Sequence, residues 1–527
     1  MRPTALKRHE QRETGRLFLK TADGLLVIAS ILVSAVVAEG VTRAADGLPM
    51  LAVPLPEGVG RMVTAQQRDK VPLAAGVSRD WFFDDPPPLP NRTKPREGWQ
   101  DLFWKVRDNP GDFDPFRPAD IFKAWNSAFA GDLCDNAFLK HAPGTVFLYD
   151  PPDGRTVPPY RFLPDATTPL GLVTNQLGWR GPPVSDPRQP RTVRIVFVGA
   201  STTVDGHHLP FSYPEFVGHW LDLWAASRKL DLRFETLNAG RESVTSTDIA
   251  EIVRTEVLPL RPDLVVYYEG HNQFWLPTVI PELSKLSTSA LALSVEARPR
   301  WLMQSTRFSA LARRAVAFAG VANEGREWPK PDYTIEMPPG LDENDPDITD
   351  PRLPLHLDTI VHDFDHMRAD LASVGAEFAL SSFVWMVKDG LMLNPIRDKY
   401  ILEDLNVVEY PLRYRDLERL ASFQNRVFRN YAAAHRLPFI DVARDMPLDP
   451  DLFSDAIHNT AGGVRERAWV VLQQLVPLIE RHLADGSWPR TYSTQAPPLP
   501  TFTPRRVAVD CGDPDATRSR SATRSAD

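Results

Sequence analysis

The sequence has little cysteine and lacks the spacing of cysteine and histidine that is typical of zinc sites. Cys134 and Cys511 are the only cysteines in 527 residues, which excludes a disulfide-stapled scaffold. In an oxidising compartment these two residues can bridge, and otherwise they are two unpaired thiols. The sequence therefore predicts neither a metal nor a cofactor.

Long blocks of basic residues are also absent. The formal net charge is −8, which disfavours a protein that follows the phosphates of a nucleic acid. Hydrophobic residues make up 43% and charged residues 24% of the chain, as in an ordinary folded protein. The length favours two or three structural units rather than one.

A hydrophobic run near the N-terminus follows a basic flank. Residues 24–41 are about 18 mostly apolar residues, and at about 1.5 Å per residue such a helix nearly spans a bilayer. Residues 1–45 therefore predict a basic cytoplasmic head and a single-pass signal-anchor in the cell membrane. The alternative is a signal peptide cut after Ala38. Both alternatives place the remaining chain on the extracytoplasmic side.

Proline and aromatic residues dominate the next segment, as in "RDWFFDDPPPLP". Because proline disfavours long helices, residues 46–190 are predicted to be extended chain and short strands wrapped on a core. At the other end, residues 488–527 are Pro-rich and then strongly polar. This tail is predicted to be disordered.

Residues 191–487 alternate strand, turn and helix, which is typical of a parallel sheet with helices on both faces. Five buried strands are predicted, at Arg194 to Ala200, Arg233 to Gly240, Asp263 to Gly270, Glu377 to Val384 and Pro438 to Ala443. The alternation is broken at about residues 273–372. An insertion of this size after a strand is usually a cap over the strand ends.

Polar residues follow the predicted strands where an open parallel sheet binds its ligands. Ser201 follows the first strand, Gly240 ends the second, Asn272 follows the third, and Asp455 and His458 precede the last helix. A serine nucleophile needs a histidine base and a carboxylate that orients it, which are the roles assigned to Ser201, His458 and Asp455. Taken singly, each residue is more often a cap, a turn or a surface residue. Their order along the chain indicates acyl transfer.

An oxyanion hole is predicted from the same loops. Its donors would be the backbone N–H groups of Ser201 and Gly240 and the side-chain amide of Asn272. Glu269 and His271 flank Asn272 and are candidates for orienting it. Trp275 and Trp385 are candidates for stacking on a sugar ring, although packing under the cap is the commoner role.

Four blocks, "GASTT", "NAGRES", "GHNQF" and "DAIH", resemble those of the SGNH or GDSL-type hydrolase superfamily. The resemblance implies that Ser201, Gly240, Asn272 and His458 correspond to the characteristic Ser, Gly, Asn and His of that superfamily. It implies a three-layer α/β/α sandwich with a five-stranded parallel sheet in flavodoxin-like order. "TNQLGWRGPP" is similar to the segment ahead of the serine strand in membrane-anchored bacterial members. Ala200 and Gln273 depart from the pattern, in which acidic residues are common at both places.

The function predicted from these features is a serine esterase acting on an acyl ester, such as an acylated glycan or lipid. One alternative is an O-acetyltransferase that modifies a cell-envelope polysaccharide with the same triad. The other is an inactive envelope scaffold of the same fold, for which Ala200 and Gln273 are the only indications. The sequence predicts neither the acyl group nor the oligomeric state.

Overall fold

The structure is a computed structural model. It describes residues 4–45, 50, 68–94, 144–150, 157–158, 161–162, 164–167, 172–206, 209–286, 309–318, 325–394, 398–492, 497–501 and 503–509. Cys134 and Cys511 lie outside these residues, so the expectation about the cysteine pair stays a prediction.

A parallel sheet of five strands forms the centre of the fold. In chain order its strands are β2 (Thr192–Gly199), β3 (Arg233–Asn238), β4 (Leu264–Tyr268), β5 (Glu377–Ser381) and β6 (Phe439–Ile440), after a separate strand β1 (Gly144–Asp150). The strand order is β3-β2-β4-β5-β6, with every pair parallel. All five predicted strands and the α/β fold class are thereby confirmed. The order reverses direction beside β2, the position where doubly wound sheets bind ligands.

Helices cover both faces of this sheet. The α-helices are α1 (Thr4–Ala45), α2 (Ser201–Val204), α3 (Tyr213–Ser227), α4 (Ser246–Ile252), α5 (Ala310–Phe318), α6 (Leu357–Ser373), α7 (Lys399–Glu403), α8 (Tyr414–His435), α9 (Val442–Asp445) and α10 (Ala461–Ala484). Helices α3 and α10 pack together on one face, whereas α4, α6 and α8 share the other. These layers form an α/β/α sandwich. Because α6 packs on β5, it belongs to the sandwich, and the insertion expected at residues 273–372 ends before Leu357.

The N-terminal helix α1 contains a part, Leu26–Ala45, that is long and apolar enough to cross a membrane. Its C-terminal end contacts helix α5 of the insertion. The Glu39 carboxylate accepts hydrogen bonds from the Ser309 hydroxyl at 2.7 Å and from the N–H groups of Ala310 and Leu311 at 2.8 and 2.9 Å. Glu39 thus caps the first turn of α5.

Part of the proline-rich region packs against the α3 and α10 face. Phe82 is buried, with its ring centroid 6.1 Å from that of Trp220 and 5.4 Å from that of Trp469. The N–H of Ala74 donates to the Gln473 side chain at 2.7 Å. Residues 68–94 therefore cover a helix face that would otherwise expose tryptophan.

The C-terminal segment differs from the expected disordered tail. Trp488 is buried, and the N–H of Arg490 donates at 2.8 Å to Asp263, which directly precedes the central strand β4. Further along, β7 (Thr503–Val509) pairs antiparallel with β1 in a two-stranded ribbon. These contacts with distant segments are not visible in the proline content and polarity from which the tail was predicted to be disordered.

Candidate active site

Strand β2 ends in a tight turn that presents Ser201. A side chain at Gly199 would place its Cβ 2.1 Å from the Tyr268 carbonyl oxygen, so only glycine fits there. Ser201 is the first residue of helix α2, where a backbone N–H has no partner within the helix. Thr203 donates its hydroxyl to the Tyr268 carbonyl at 2.8 Å and ties α2 to the end of β4.

Ser201, His458 and Asp455 lie in one hydrogen-bonded chain. The Ser201 Oγ is 2.8 Å from Nε2 of His458, and Nδ1 of the same ring is 2.7 Å from Oδ2 of Asp455. Asp455 Oδ1 also accepts the N–H groups of Ile457 and His458, at 2.9 and 2.7 Å. Ser201 and Asp455 are nearly buried. The geometry is that of a nucleophile, a base and the carboxylate that orients the base.

The pKa shifts of Asp455 and His458 agree with this hydrogen-bonded arrangement. Burial raises the pKa of Asp455, but the charge of His458 and the hydrogen bonds that Asp455 accepts outweigh it and lower the pKa to about 2. Burial lowers the pKa of His458, whereas the charge and hydrogen bond of Asp455 raise it, with a net upward shift. Asp455 is therefore ionised at neutral pH, and its charge favours the protonated imidazole of His458.

The loop that carries Asp455 and His458 is fixed at the start of α10. Thr460 caps this helix by accepting the N–H of Gly463 at 3.0 Å. A Cβ on Gly463 would lie 1.8 Å from the Leu452 carbonyl oxygen, so the helix and the preceding turn approach too closely for any side chain. This contact fixes the turn that carries Asp455 and His458 against the first turn of α10.

Asn272 is held on three sides. Its N–H donates to Oε1 of Glu269 at 2.8 Å, and its Nδ2 donates to the Val244 carbonyl at 2.8 Å. His271 Nδ1 lies 3.5 Å from Asn272 Oδ1. Since Nδ2 has two hydrogens, one remains for a ligand. Gln273, in the place of the acidic residue, accepts the N–H of Ser246 at the start of α4 at 2.6 Å.

Gly240 does not have the free N–H that the sequence analysis assumed. Its N–H donates to Asn238 Oδ1 at 3.0 Å. A Cβ here would lie 2.6 Å from the backbone nitrogen of Val204, so this glycine allows β3 and α2 to approach. Three residues later, Ser243 is exposed in the left-handed region with φ 59°. No hydrogen bond from its N–H is found within the described residues, and it precedes Val244, the acceptor for Asn272.

Sequence reasoning missed the arginines that hold the loop after Ser201. Arg180 is buried and donates to four carbonyls of this loop, at 2.7 to 3.2 Å, which belong to Val204, Asp205, Gly206 and Leu209. Arg467 of α10 pairs with the Asp205 carboxylate. The only signal in the sequence was "TNQLGWRGPP", whose arginine carried no assigned role.

Aromatic side chains surround the Asn272 loop. Trp385 is buried, and its ring centroid lies 5.1 Å from His271 and 5.3 Å from Phe274. Trp275 is 51% exposed and stacks on His356 at 5.4 Å. Within the described ranges, no group of three or more His, Cys, Asp or Glu side chains is arranged to hold a metal ion.

The sequence matches no family model and no curated protein. Several solved structures are similar to it over about half of its length. An acetylxylan esterase from Geobacillus stearothermophilus has a TM-score of 0.27 and 15% identity over 54% of this chain and 93% of that one. A GDSL-like lipase from Bacteroides thetaiotaomicron has a TM-score of 0.28 and 14% identity over 56% of this chain and 92% of that one. A lipase/acylhydrolase from Enterococcus faecalis has a TM-score of 0.29 and 16% identity over 54% of this chain and 96% of that one.

Proposed function

We propose that this chain is a serine esterase of the SGNH type that hydrolyses an acyl ester. One observation supports the proposal most strongly, namely the continuous hydrogen-bonded chain from Ser201 through His458 to Asp455. It lies at the carboxyl edge of a parallel sheet, where this class of fold binds its ligands. The same geometry disfavours the inactive-scaffold alternative, because the hydrogen-bonded chain forms even though Ala200 and Gln273 replace the usual acidic residues.

The reaction proceeds through an acyl-enzyme. Ser201 Oγ attacks the ester carbonyl while His458 Nε2 takes its proton, and the imidazolium then returns this proton to the leaving alcohol. Water, activated by the same imidazole, releases the acid and restores Ser201. Because His458 must be neutral at the start and its pKa is raised above 6.5, activity falls as pH decreases through that raised pKa.

The oxyanion of the tetrahedral intermediate is bound by the Ser201 N–H and the remaining Nδ2 hydrogen of Asn272. The third donor is the N–H of Ser243 rather than that of Gly240, whose N–H is already bound to Asn238. Ser243 is in the left-handed region, and the next residue accepts the Asn272 amide, which places the Ser243 turn beside Asn272. Loss of one such donor typically costs about 10²- to 10³-fold in kcat.

A fluorophosphonate probe tests the triad. The folded protein should be labelled, labelling should disappear in Ser201→Ala, and the exposed-site control Ser373→Ala should label like the wild type. If well-folded wild-type protein is not labelled, or if Ser201→Ala still is, the proposal fails.

The proposed substrate carries its ester on a glycan. Trp275 is exposed in the loop that follows Asn272, and its stacking on His356 holds the indole in place for a sugar ring. Trp275→Ala should raise KM about fivefold for an acetylated oligosaccharide and leave KM for a small activated ester unchanged, since one stacking contact contributes about 1 kcal/mol. Met392→Ala, another exposed apolar site, is the control. Equal effects on both substrates would contradict a sugar-binding role.

We further propose that Leu26–Ala45 anchors the chain in the cell membrane with the sandwich on the extracytoplasmic side. The basic residues before this segment support that orientation. In intact cells, added protease should digest the sandwich, and the chain should stay in the membrane fraction at alkaline pH. N-terminal sequencing distinguishes the anchor from a signal peptide cut after Ala38.

A further inference from the structure

A second pair of imidazole and carboxylate lies beside the triad. His271 Nε2 is 3.2 Å from Glu409 Oε1, and Nδ1 of the same ring is 3.5 Å from Asn272 Oδ1. Glu409 comes from the segment between β5 and β6, and its N–H donates to the Asp404 carbonyl at 3.0 Å. The pair thus connects a segment outside the predicted site to the amide beside Ser201.

The hydrogen bonds of Asn272 determine which way its amide points. Its terminal atom on the Val244 side must be the nitrogen, because a backbone carbonyl only accepts. Oδ1 therefore faces His271, and Nδ1 of His271 must donate to it. Nε2 faces a carboxylate oxygen and must donate as well. A histidine with both nitrogens donating is an imidazolium.

The charges around His271 agree with this assignment. Burial alone lowers the pKa of His271, but the hydrogen bond and charge of Glu409, followed by the charges of Asp404 and Glu269, outweigh it and raise the pKa to about 9. The ionisable groups that face His271 from the packed segments are Glu269, Asp404, Glu409 and His458, and Asp404 in turn interacts with Asp455. The ring also contacts Trp385, which limits its rotation.

We propose that His271, held by Glu409, is a positioning residue that fixes the Asn272 amide so that Nδ2 points to the oxyanion. This inference rests on the proposed esterase function. It gives the site two carboxylate–imidazole couples, one that acts on the nucleophile and one that orients the oxyanion donor. His271 itself touches neither substrate nor Ser201 in this scheme.

The test is a double-mutant cycle on the full-length protein with p-nitrophenyl acetate as substrate. His271→Ala should lower kcat about 10- to 100-fold with KM within about twofold, since the lost interaction serves the transition state. Asn272→Ala should cost about 100-fold in the wild type but less than about tenfold in the His271→Ala background, because the amide is already misplaced. His362→Ala, an exposed histidine of α6, should have no effect.

The pH profile separates positioning from a structural role. Wild-type activity should fall as pH rises through about 9, where His271 loses its proton. Glu409→Gln keeps an acceptor for Nε2 but removes the charge, so this alkaline limb should move down by about one pH unit or more. A role in packing alone would leave the limb in place.

Three results would overturn the inference. The first is that the effects of His271→Ala and Asn272→Ala on kcat simply multiply. The second is that Glu409→Gln does not move the alkaline limb of the pH profile. The third is that Glu409→Gln changes only the acid limb, which would mean that His271 acts only on His458. The proposed function fails separately, through activity that survives Ser201→Ala. Unfolding curves that match the wild type show that each variant is folded.

Discussion

The two halves of the site are built with different charged groups. On the nucleophile half, the loop after Ser201 is held by the guanidinium groups of Arg180 and Arg467. On the amide half, Asn272 is held by His271 and Glu269, with Glu409 behind them. Arginine keeps its charge at every pH that a protein tolerates, whereas histidine and buried carboxyls titrate. The nucleophile half should therefore keep its geometry over a wide pH range, and the amide half should not.

The largest expected effect contrasts the two carboxylates that hold an imidazole. Asp455→Asn should lower kcat about 10³- to 10⁴-fold, because the amide favours the wrong imidazole tautomer and cannot stabilise the imidazolium. Glu409→Gln should lower kcat by less than about twofold at pH 7, since an alkaline limb moved down by about one pH unit from about 9 leaves most of His271 protonated. Steady-state kinetics on both variants, with exposed Asp485→Asn as control, measure the contrast. Losses of equal size would show that the two halves do not differ in this way.

The next effect concerns stability on the nucleophile half. Arg467 is buried, pairs with Asp205, and lies 4.5 Å above the Tyr213 ring. Arg467→Met should lower the free energy of unfolding by about 3–5 kcal/mol, because burial already raises the pKa of Asp205 and Arg467 supplies the larger of the two arginine charges that oppose this rise. Arg254→Met, which removes an exposed pair with Glu251, should cost less than about 1 kcal/mol. Denaturant unfolding measures both, and similar costs would contradict a special role for the buried pair.

The sheet was predictable from the sequence because buried parallel strands are short, almost continuous apolar runs. The chain order of Ser201, Asn272, Asp455 and His458 was predictable for a related reason, since such strands deliver their last residues to one edge. The structure then brings His458 within hydrogen-bonding distance of both Ser201 and Asp455.

Other features depend on contacts between distant segments, which a single sequence does not display. Gly240 looked like an oxyanion donor, but its N–H is taken by Asn238 and its missing side chain makes room for Val204. Glu409 lies in a segment with no motif, and only the fold places it against His271. Arg180 lies in the recognisable segment "TNQLGWRGPP", but the sequence did not indicate its role, because its four carbonyl partners belong to a loop further along the chain.

A conservative change at Arg180 sharpens the comparison. Arg180→Lys keeps the charge but has one nitrogen in place of the two that reach Val204 and Leu209. It should lower kcat about tenfold by loosening the Ser201 loop, a geometric effect that resembles the loss of orientation at other active sites. The pH profile should keep its shape, unlike that of Glu409→Gln. A displaced alkaline limb in Arg180→Lys would contradict the division into two halves.

The last expected effect is the dependence of stability on pH at Asp404. Burial, followed by the charges of Asp455 and Glu409, raises the pKa of Asp404 from 3.8 to about 7. Between about pH 4 and 7 the folded state thus binds a proton that the unfolded state releases, so the stability that this group contributes is lost as pH rises through that window. Asp404→Asn keeps an acceptor for the N–H of Ala456 and removes the titration.

Relative to the wild type, Asp404→Asn should gain free energy of unfolding as pH rises from 4 to 7, by about 4 kcal/mol at pH 8, since the pKa of Asp404 is raised by about three units and each unit corresponds to about 1.4 kcal/mol. Denaturant unfolding at pH 5 and pH 8 measures the gain, and Asp485→Asn should show none. A difference between variant and wild type that is the same at both pH values would mean that Asp404 is ionised throughout. The amide half would then be as insensitive to pH as the half held by arginine, because its buried carboxyls would carry fixed charges too.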